Sequence, residues 1–447
     1  MLCLAGSALA DTRQRILDEC QQILQTAVRR PYGIAWGATS GADEPRNPPP
    51  ATVMLWPQHT PAAGLMLLWA GQALGDATLT QAAVQVARGI AAASESTGRI
   101  PSTASFGRTA LGRDPPQLVP DRASTCAGLA LLLSVIETSP KPDPLLRGAA
   151  LRAAHWLVRQ QTRTGLFVAS HPPHAPPERS IRLVRLDRPD YRDAVLALIL
   201  AYEVLEDAAM RIAAERAVEQ LLKLRYQESK SARGLWHTAF DPDGTITRAL
   251  PQFPRGVDML ATRYSMQALL AMHVSQGTQA CKVALDQATE RIATLPTQQG
   301  QWRRLYLMVR DEVVTLATTQ PAGDPGSPPP FAPPDRAPDP ASEMGSFGLD
   351  GVLEAWNRLS QTDRVKYAQR LAAMLTYRQQ IAATLVGLSD RPLGDHLPTS
   401  PQDSRDWKPS TQPTAQTEAG TSLPAVTARI HALVLRLKAA KLSENPP

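Results

Sequence analysis

Residues 191–243 read YRDAVLALILAYEVLEDAAMRIAAERAVEQLLKLRYQESKSARGLWHTAFDPD, and this stretch decides the fold. Its first half is almost wholly apolar (Val195, Leu196, Leu198, Ile199, Leu200, Val204), and a turn at Leu205-Glu206-Asp207 breaks it. The next segment alternates with a helical period. Ile212, Ala213, Ala217, Leu221 and Leu222 lie on one face, and Arg211, Glu215, Glu219 and Lys223 on the other. A helix apolar all round is buried on every side, whereas an amphipathic one covers it from outside. The stretch therefore predicts a helical hairpin followed by a Gly-x-Trp segment.

The same unit recurs. Apolar helices align on Leu65, Leu129, Leu196 and Gln267, and each is followed by a second helix and a glycine that opens a short extended piece. These pieces are Gly98-Arg-Ile, Gly165-Leu-Phe, Gly234-Leu-Trp and Gly300-Gln-Trp, with a further copy at Gly33-Ile-Ala-Trp36. Repeats of one supersecondary unit stack so that each buries its neighbour's face. An apolar helix in every unit favours closure over an open solenoid, which predicts an all-α fold, an α/α toroid. The apolar helices are expected near residues 62–74, 125–137, 192–205 and 257–274.

A chain of 447 residues with 43% hydrophobic content can bury a large core. The net charge of +6 comes from arginines scattered over helices and loops, and no Lys/Arg run has the density of a nucleic-acid arm. No apolar run approaches the roughly 20 residues of a membrane span, so no integral membrane segment is expected. Residues 1–10 (MLCLAGSALA) end in the small-x-small pattern of a signal-peptidase site, read as a signal-peptide remnant of a periplasmic or secreted protein. Asp11 then caps a first helix starting at Thr12. Cys20, Cys126 and Cys281 fall on helices without metal or redox spacing, and read as buried thiols.

The domain organisation expected is a toroid over residues 11–310, a Pro-rich tract with accessory helices over 311–389, and a tail over 390–447. The tracts 320–345 and 390–425 are rich in Pro, Ser, Thr and Asp, too poor in apolar residues to offset chain entropy. The tail ends in an amphipathic helix, residues 425–442, whose Ile430, Leu433, Val434 and Leu437 form a face for docking on the toroid or on a partner.

Candidate chemistry clusters at the apolar-helix starts and in the Gly-x-Trp segments. Three groups stand out: Tyr191-Arg192-Asp193, Trp236 to Asp241, and Trp302-Arg-Arg304-Leu-Tyr306. Plainer readings stand beside them. Asp193 suits the first turn of a helix through the macrodipole, and Asp241-Pro-Asp243-Gly244 suits a β-turn.

These segments resemble the pectate lyases of polysaccharide lyase family 10, α/α toroids that cleave polygalacturonate by calcium-assisted β-elimination. Gly234-Leu-Trp236-His-Thr-Ala-Phe-Asp241 is similar to the family's Gly-x-Trp segment, Asp193-Ala194 to its apolar-helix start, and Trp302 to Tyr306 to its Trp-x-Arg-Phe-Tyr segment. The resemblance spans roughly residues 150–310. It implies an acidic polysaccharide or oligosaccharide as partner, with Asp193 and Asp241 as calcium ligands that neutralise the uronate carboxylate. It implies Arg304 as the base at C5, and Arg248 as a fork for a substrate carboxylate. Trp236, Trp302 and Tyr191 would then contact sugar. The chain departs from the family at Arg192, a positive charge beside an expected calcium ligand, and at Leu307-Met308. Two alternatives therefore stay open: a non-catalytic toroid that binds glycan or protein, and another toroid carbohydrate enzyme such as an epimerase or glycosidase.

Overall fold

The computed structural model describes residues 2–37, 51–106, 111–112, 121–171, 181–227, 231–247, 255–295, 297, 301–309, 312–314, 344–361, 377–388 and 422–444. The expected all-α class holds: the described residues are mostly helical, built from repeated helical hairpins, with small antiparallel sheets in the connections. Its contacts divide it into two units. Unit 1 comprises Met1–Gln160, Asp193–Ala214 and Asn357–Pro447, and unit 2 comprises Gln161–Arg192 and Glu215–Trp356. The C-terminal helices thus belong with the N-terminal hairpins, and the boundaries expected at residues 310 and 389 do not delimit these units. Among the described residues no helix is long and apolar enough to cross a membrane.

Unit 1 holds α1 (Leu2–Gln25), the hairpin α2 (Thr60–Leu74) and α3 (Ala77–Ala93), and the hairpin α4 (Asp121–Thr138) and α5 (Pro144–Arg159). Apolar α2 is buried along nearly its whole length, and amphipathic α3 packs on it through Leu79, Ala83, Val86 and Ile90. The sharp turn between them is set by Gly75 in the left-handed region, which closes α2, and by Asp76, whose carboxylate accepts from the amides of Thr78 and Leu79. Helix α1 begins at Leu2 rather than at Thr12. The alanines and leucines of residues 2–10 are strong helix formers, so Asp11 lies within the helix instead of capping it.

Two later helices among the described residues belong to this unit. In the order of the described helices they are α11 (Tyr377–Leu385) and α12 (Leu423–Glu444). The terminal helix docks in cis, on α1 and α2, and buries the Ile430, Leu433, Val434 and Leu437 face. Arg429 grips Glu19 of α1 through two nitrogens (2.8 and 2.9 Å), and His431 tilts against the Trp69 ring of α2. Helix α11 lies on α4, where Arg378 pairs with Glu137 (2.7 Å) and Glu203 (3.1 Å). The tracts 320–345 and 390–425 fall almost wholly outside the described residues.

Helices α6 (Pro189–Leu205) and α7 (Ala208–Leu224) each contribute to both units. Unit 2 adds the hairpin α8 (Met259–Gln276) and α9 (Gln279–Thr294), and the start of α10 (Leu349–Gln361). Trp356 of α10 anchors there by donating its indole N–H to Asp286 (3.1 Å).

The repeat glycine has a physical cause. Gly33, Gly98, Gly165 and Gly234 all have positive φ, and a Cβ on any of them would press into the backbone or Cβ of the second helix of the following hairpin. Gly33 meets Gly89 of α3, Gly98 meets Arg152 of α5, Gly165 meets Arg216 of α7, and Gly234 meets Gln287 of α9. The residue that ends each extended piece is tied to the next apolar helix. The amides of Trp36, Ile100 and Trp236 donate to the hydroxyls of Thr60, Thr125 and Thr262. In the Gly165 copy Tyr191 stands in the threonine's place and packs edge-on against Phe167. Cys20, Cys126 and Cys281 are buried thiols, as expected.

Candidate functional site

Unit 2 carries a buried polar cluster built where its short strands meet. The strand Ile181–Arg185 pairs with the strand Ala239–Phe240, and the amide of Leu186 continues the ladder to the carbonyl of Thr238 (2.9 Å). The strand Gly256–Asp258 pairs with the strand Leu305–Val309, setting Leu305 opposite Asp258. The amide of Asp258 then donates to the carbonyl of Trp236 (3.0 Å), and the amide of Met259 to the carbonyl of Arg304 (2.8 Å). These bonds bring four segments into one register and gather Arg185, Asp187, His237, Thr238, Asp258 and Arg304.

Asp187 is clamped by Arg185 through both carboxylate oxygens, at 2.7 and 2.6 Å, the bidentate geometry that suits a guanidinium. The Arg304 Nη2 also reaches Asp187 Oδ2 (3.4 Å), and its Nε lies 3.9 Å from Asp258 Oδ2. Arg304 keeps 19% of its side chain exposed, so it is the partly open member of an otherwise buried set. Asp258 caps α8, accepting from the amides of Leu260 and Ala261 through Oδ1, while the Thr238 hydroxyl donates to its Oδ2 (2.9 Å). Burial, seconded by the negative charge of Asp187, raises the Asp258 carboxyl to about 6, despite the opposing Ala261 amide, Arg304 charge and Thr238 hydroxyl.

His237 completes the cluster. Its Nδ1 lies 2.8 Å from the carbonyl of Gly256. A carbonyl only accepts, so Nδ1 carries the proton and Nε2 of the neutral ring holds a lone pair. Among the described residues Nε2 is buried and has no hydrogen-bond partner. Burial pushes the ring's pKa below its usual value, outweighing the Gly256 carbonyl and Asp187, which act the other way. A neutral imidazole with one fixed N–H and one bare lone pair is a proton acceptor held in place. Leu186, between Arg185 and Asp187, also lines a narrow recess shared with Tyr191, Arg192, Leu221, Tyr264 and Ser265, too tight to hold a water molecule.

Of the residues expected at a site, Arg304 and the His237 segment belong to this cluster. Tyr191 and Trp236 do not serve as sugar platforms. Both are core residues: the Tyr191 hydroxyl donates to the carbonyl of Ala217 (3.0 Å), and the Trp236 indole to that of Leu221 (2.8 Å). Trp236 is matched by Trp36, whose indole donates to the carbonyl of Ile23, so the aromatic of the Gly-x-Trp segment is a repeat anchor. Trp302 is half-buried in the short strand Trp302–Arg303, opposite Gly345. Asp241 opens the β-turn of the plainer reading, its carbonyl accepting from Gly244 and its amide donating to Thr245. Asp193 is buried in α6 and belongs to unit 1. Arg248 lies outside the described residues.

The calcium implied by the resemblance finds no ready cage: among the described residues no three His, Cys, Asp or Glu side chains gather as metal ligands. Asp187, Asp258 and Arg185 escaped the sequence reading. The alternation in Ile181-Arg-Leu-Val-Arg185 marks a strand, and Asp258 before an apolar helix marks a cap. Neither signal separates a structural carboxylate from a chemical one.

No family model and no curated protein matches the chain. Among solved structures it is similar to a family 10 polysaccharide lyase from Cellvibrio cellulosa, at 14% identity and a TM-score of 0.37 over 56% of this chain and 82% of that one. A mutant of that lyase, in complex with trigalacturonic acid, matches equally. A D-mannose isomerase is similar at 11% identity and a TM-score of 0.42, over 67% of this chain and 74% of that one. An alpha-amylase from Clostridium perfringens is similar at 10% identity and a TM-score of 0.39, over 96% and 97%. Likeness at this level assigns no role to any residue, and the chemistry of the cluster rests on its own geometry.

Proposed function

We propose that unit 2 carries an acid–base centre acting on an acidic sugar, with His237 as the base and Asp258 as the acid. The observation that carries this reading is the bare, buried Nε2 of His237 with its Nδ1–H fixed on Gly256. Two titratable neighbours whose environments push them apart, one held neutral and one holding its proton to about 6, are the arrangement an acid–base pair needs. In a β-elimination, His237 Nε2 takes the C5 proton, the electron pair forms the C4–C5 double bond, and the C4–O bond breaks. Asp258 then protonates the departing oxygen. Arg304 is a poor base here, because guanidinium holds its proton in proteins and two carboxylates flank it. Its part is to neutralise the uronate carboxylate from the open side of the cluster. Calcium carries no step in this scheme.

The test is ultraviolet absorbance from unsaturated uronate when purified protein meets polygalacturonate or alginate, with and without added calcium. The wild type is expected to generate the signal, and His237→Gln to lower the rate about 10²–10⁴-fold, the usual contribution of a positioned base. Absence of absorbance from the wild type on every polyuronate would overturn the acid–base reading. A second reading, a module that binds glycan or protein without turnover, is favoured by one observation. His237 is only 1% exposed, and the neighbouring recess is smaller than the roughly 300–1,000 Å³ of ordinary small-molecule sites. Binding of polyuronate without turnover would support that alternative.

A further inference from the structure

The repeat breaks its own pattern beside His237. Three of the hairpins end in the same small loop. The amides of Glu95, Thr162 and Tyr226 donate to the carbonyls of Arg99, Leu166 and Leu235, and the carbonyls of the same three accept from Gly98, Gly165 and Gly234. Glu95, Thr162 and Tyr226 therefore hold equivalent places. In the first two copies the side chain serves its own loop: Glu95 pairs with Arg99 (3.0 Å), and the Thr162 hydroxyl accepts from the Leu166 amide (3.0 Å). The Tyr226 hydroxyl reaches 30 residues along the chain and donates to the carbonyl of Gly256 (3.2 Å). The same copy departs a second time. The residue after the anchoring Ile100 and Phe167 is Pro101 and Val168, whereas His237 follows Trp236. Both departures meet on one atom, because the Gly256 carbonyl also accepts the Nδ1–H of His237 (2.8 Å).

A carbonyl oxygen has two lone pairs and accepts both donors at once. The shorter bond belongs to the imidazole, so the tyrosine steadies the acceptor without displacing the histidine. A Cβ on Gly256 would collide with the carbonyl of Tyr306, which leaves hydrogen bonds, not side-chain packing, to orient this peptide. We infer that Tyr226 is a positioning residue for His237: its hydroxyl fixes the Gly256 carbonyl on which the imidazole N–H is held, and so aims the bare Nε2. The hydroxyl also takes a share of the carbonyl's negative charge, which leaves less to stabilise a protonated ring. The charged groups acting on that ring are Asp187, which favours its protonated form, and Arg255, which opposes it. Arg304 and Asp258 act on Asp187 in turn, and substitution of Tyr226 leaves all four in place. The inference deepens the acid–base reading and takes its chemical meaning from it, but the contact is testable without turnover.

Tyr226→Phe removes the hydroxyl and keeps the ring. In the full chain, nitrogen-15 titration of His237 is expected to show a midpoint raised by about 0.5 pH unit, as the released carbonyl holds the charged ring more firmly. On polygalacturonate, kcat is expected to fall about five- to tenfold with KM little changed, and the acidic limb of the pH profile to move up with the midpoint. Thr162→Val is the control. It removes the equivalent hydroxyl from a loop without the histidine, and should move neither the midpoint nor the profile. An unchanged or lowered His237 midpoint in Tyr226→Phe, or an equal shift in Thr162→Val, would overturn the inference. So would an active wild type whose Tyr226→Phe variant keeps the same kcat and pH profile. A wild type without turnover, in which Tyr226→Phe still raises the midpoint, would remove the base and uphold the hold of Tyr226 on the ring.

Discussion

Asp187→Ala is expected to destabilise the protein by about 3–5 kcal/mol, the usual cost of removing one partner from a buried ion pair. Asp187 touches both Arg185 and Arg304, and the Arg185 side chain is 7% exposed. Without it, the buried Arg185 guanidinium loses its bidentate partner, and Arg304 keeps Asp258 at 3.9 Å, whose carboxyl already holds its proton to about 6. The cost therefore comes from stranded charge more than from lost attraction. A double substitution separates the two: Asp187→Leu with Arg185→Met replaces the pair by apolar groups and should recover much of the loss. Denaturant unfolding of the two variants checks this. A single variant within about 1 kcal/mol of wild type would mean that water reaches the cluster and screens it.

Gly98→Ala is the second large effect, with an expected loss of about 3–4 kcal/mol from two sources acting together. Gly98 has φ +93, where an L-residue is strained, and its added Cβ would fall on the carbonyl of Arg152 in α5. That carbonyl belongs to a helix backbone and cannot swing aside as a long side chain would. Gly75→Ala is the matched control: its φ is +73, but nothing lies within 4 Å of the new Cβ. It should cost about 1–2 kcal/mol, the conformational part alone. Thermal unfolding that ranks the two equally would remove the contact with the next hairpin as the reason for the repeat glycine.

The hairpins were legible because burial on all sides and burial on one face leave different patterns, and both run through the sequence of α6 and α7. The repeat glycines were legible by recurrence, although their cause, contact with the following hairpin, needed coordinates. The aromatics misled. Trp236 and Tyr191 stand where a carbohydrate protein would present rings, yet each spends its polar atom on a helix carbonyl in the core. A tryptophan that packs and one that stacks on sugar are the same letter. Asp187 and Asp258 were missed for the converse reason: a capping carboxylate and an acid read alike, and only the strand register that seats them near Arg304 distinguishes this pair. Asp11 shows a local rule losing to its surroundings, since helix-forming residues on its amino-terminal side carry α1 past it.

The protonation of His237 is the measurement on which the acid–base centre stands or falls. Nitrogen-15 histidine labelling gives the tautomer and the titration of each ring, and the chain has eight histidines, so His237→Gln identifies the signal by its loss. Burial lowers the folded-state pKa below the ordinary imidazole value of 6.5. The stabilisation that comes from keeping the ring neutral is therefore present above 6.5 and is lost as pH falls through the folded value. The account predicts a neutral Nδ1–H tautomer at pH 7 and a titration midpoint below 6.5. A midpoint at or above 6.5, or a neutral ring protonated on Nε2, would contradict it.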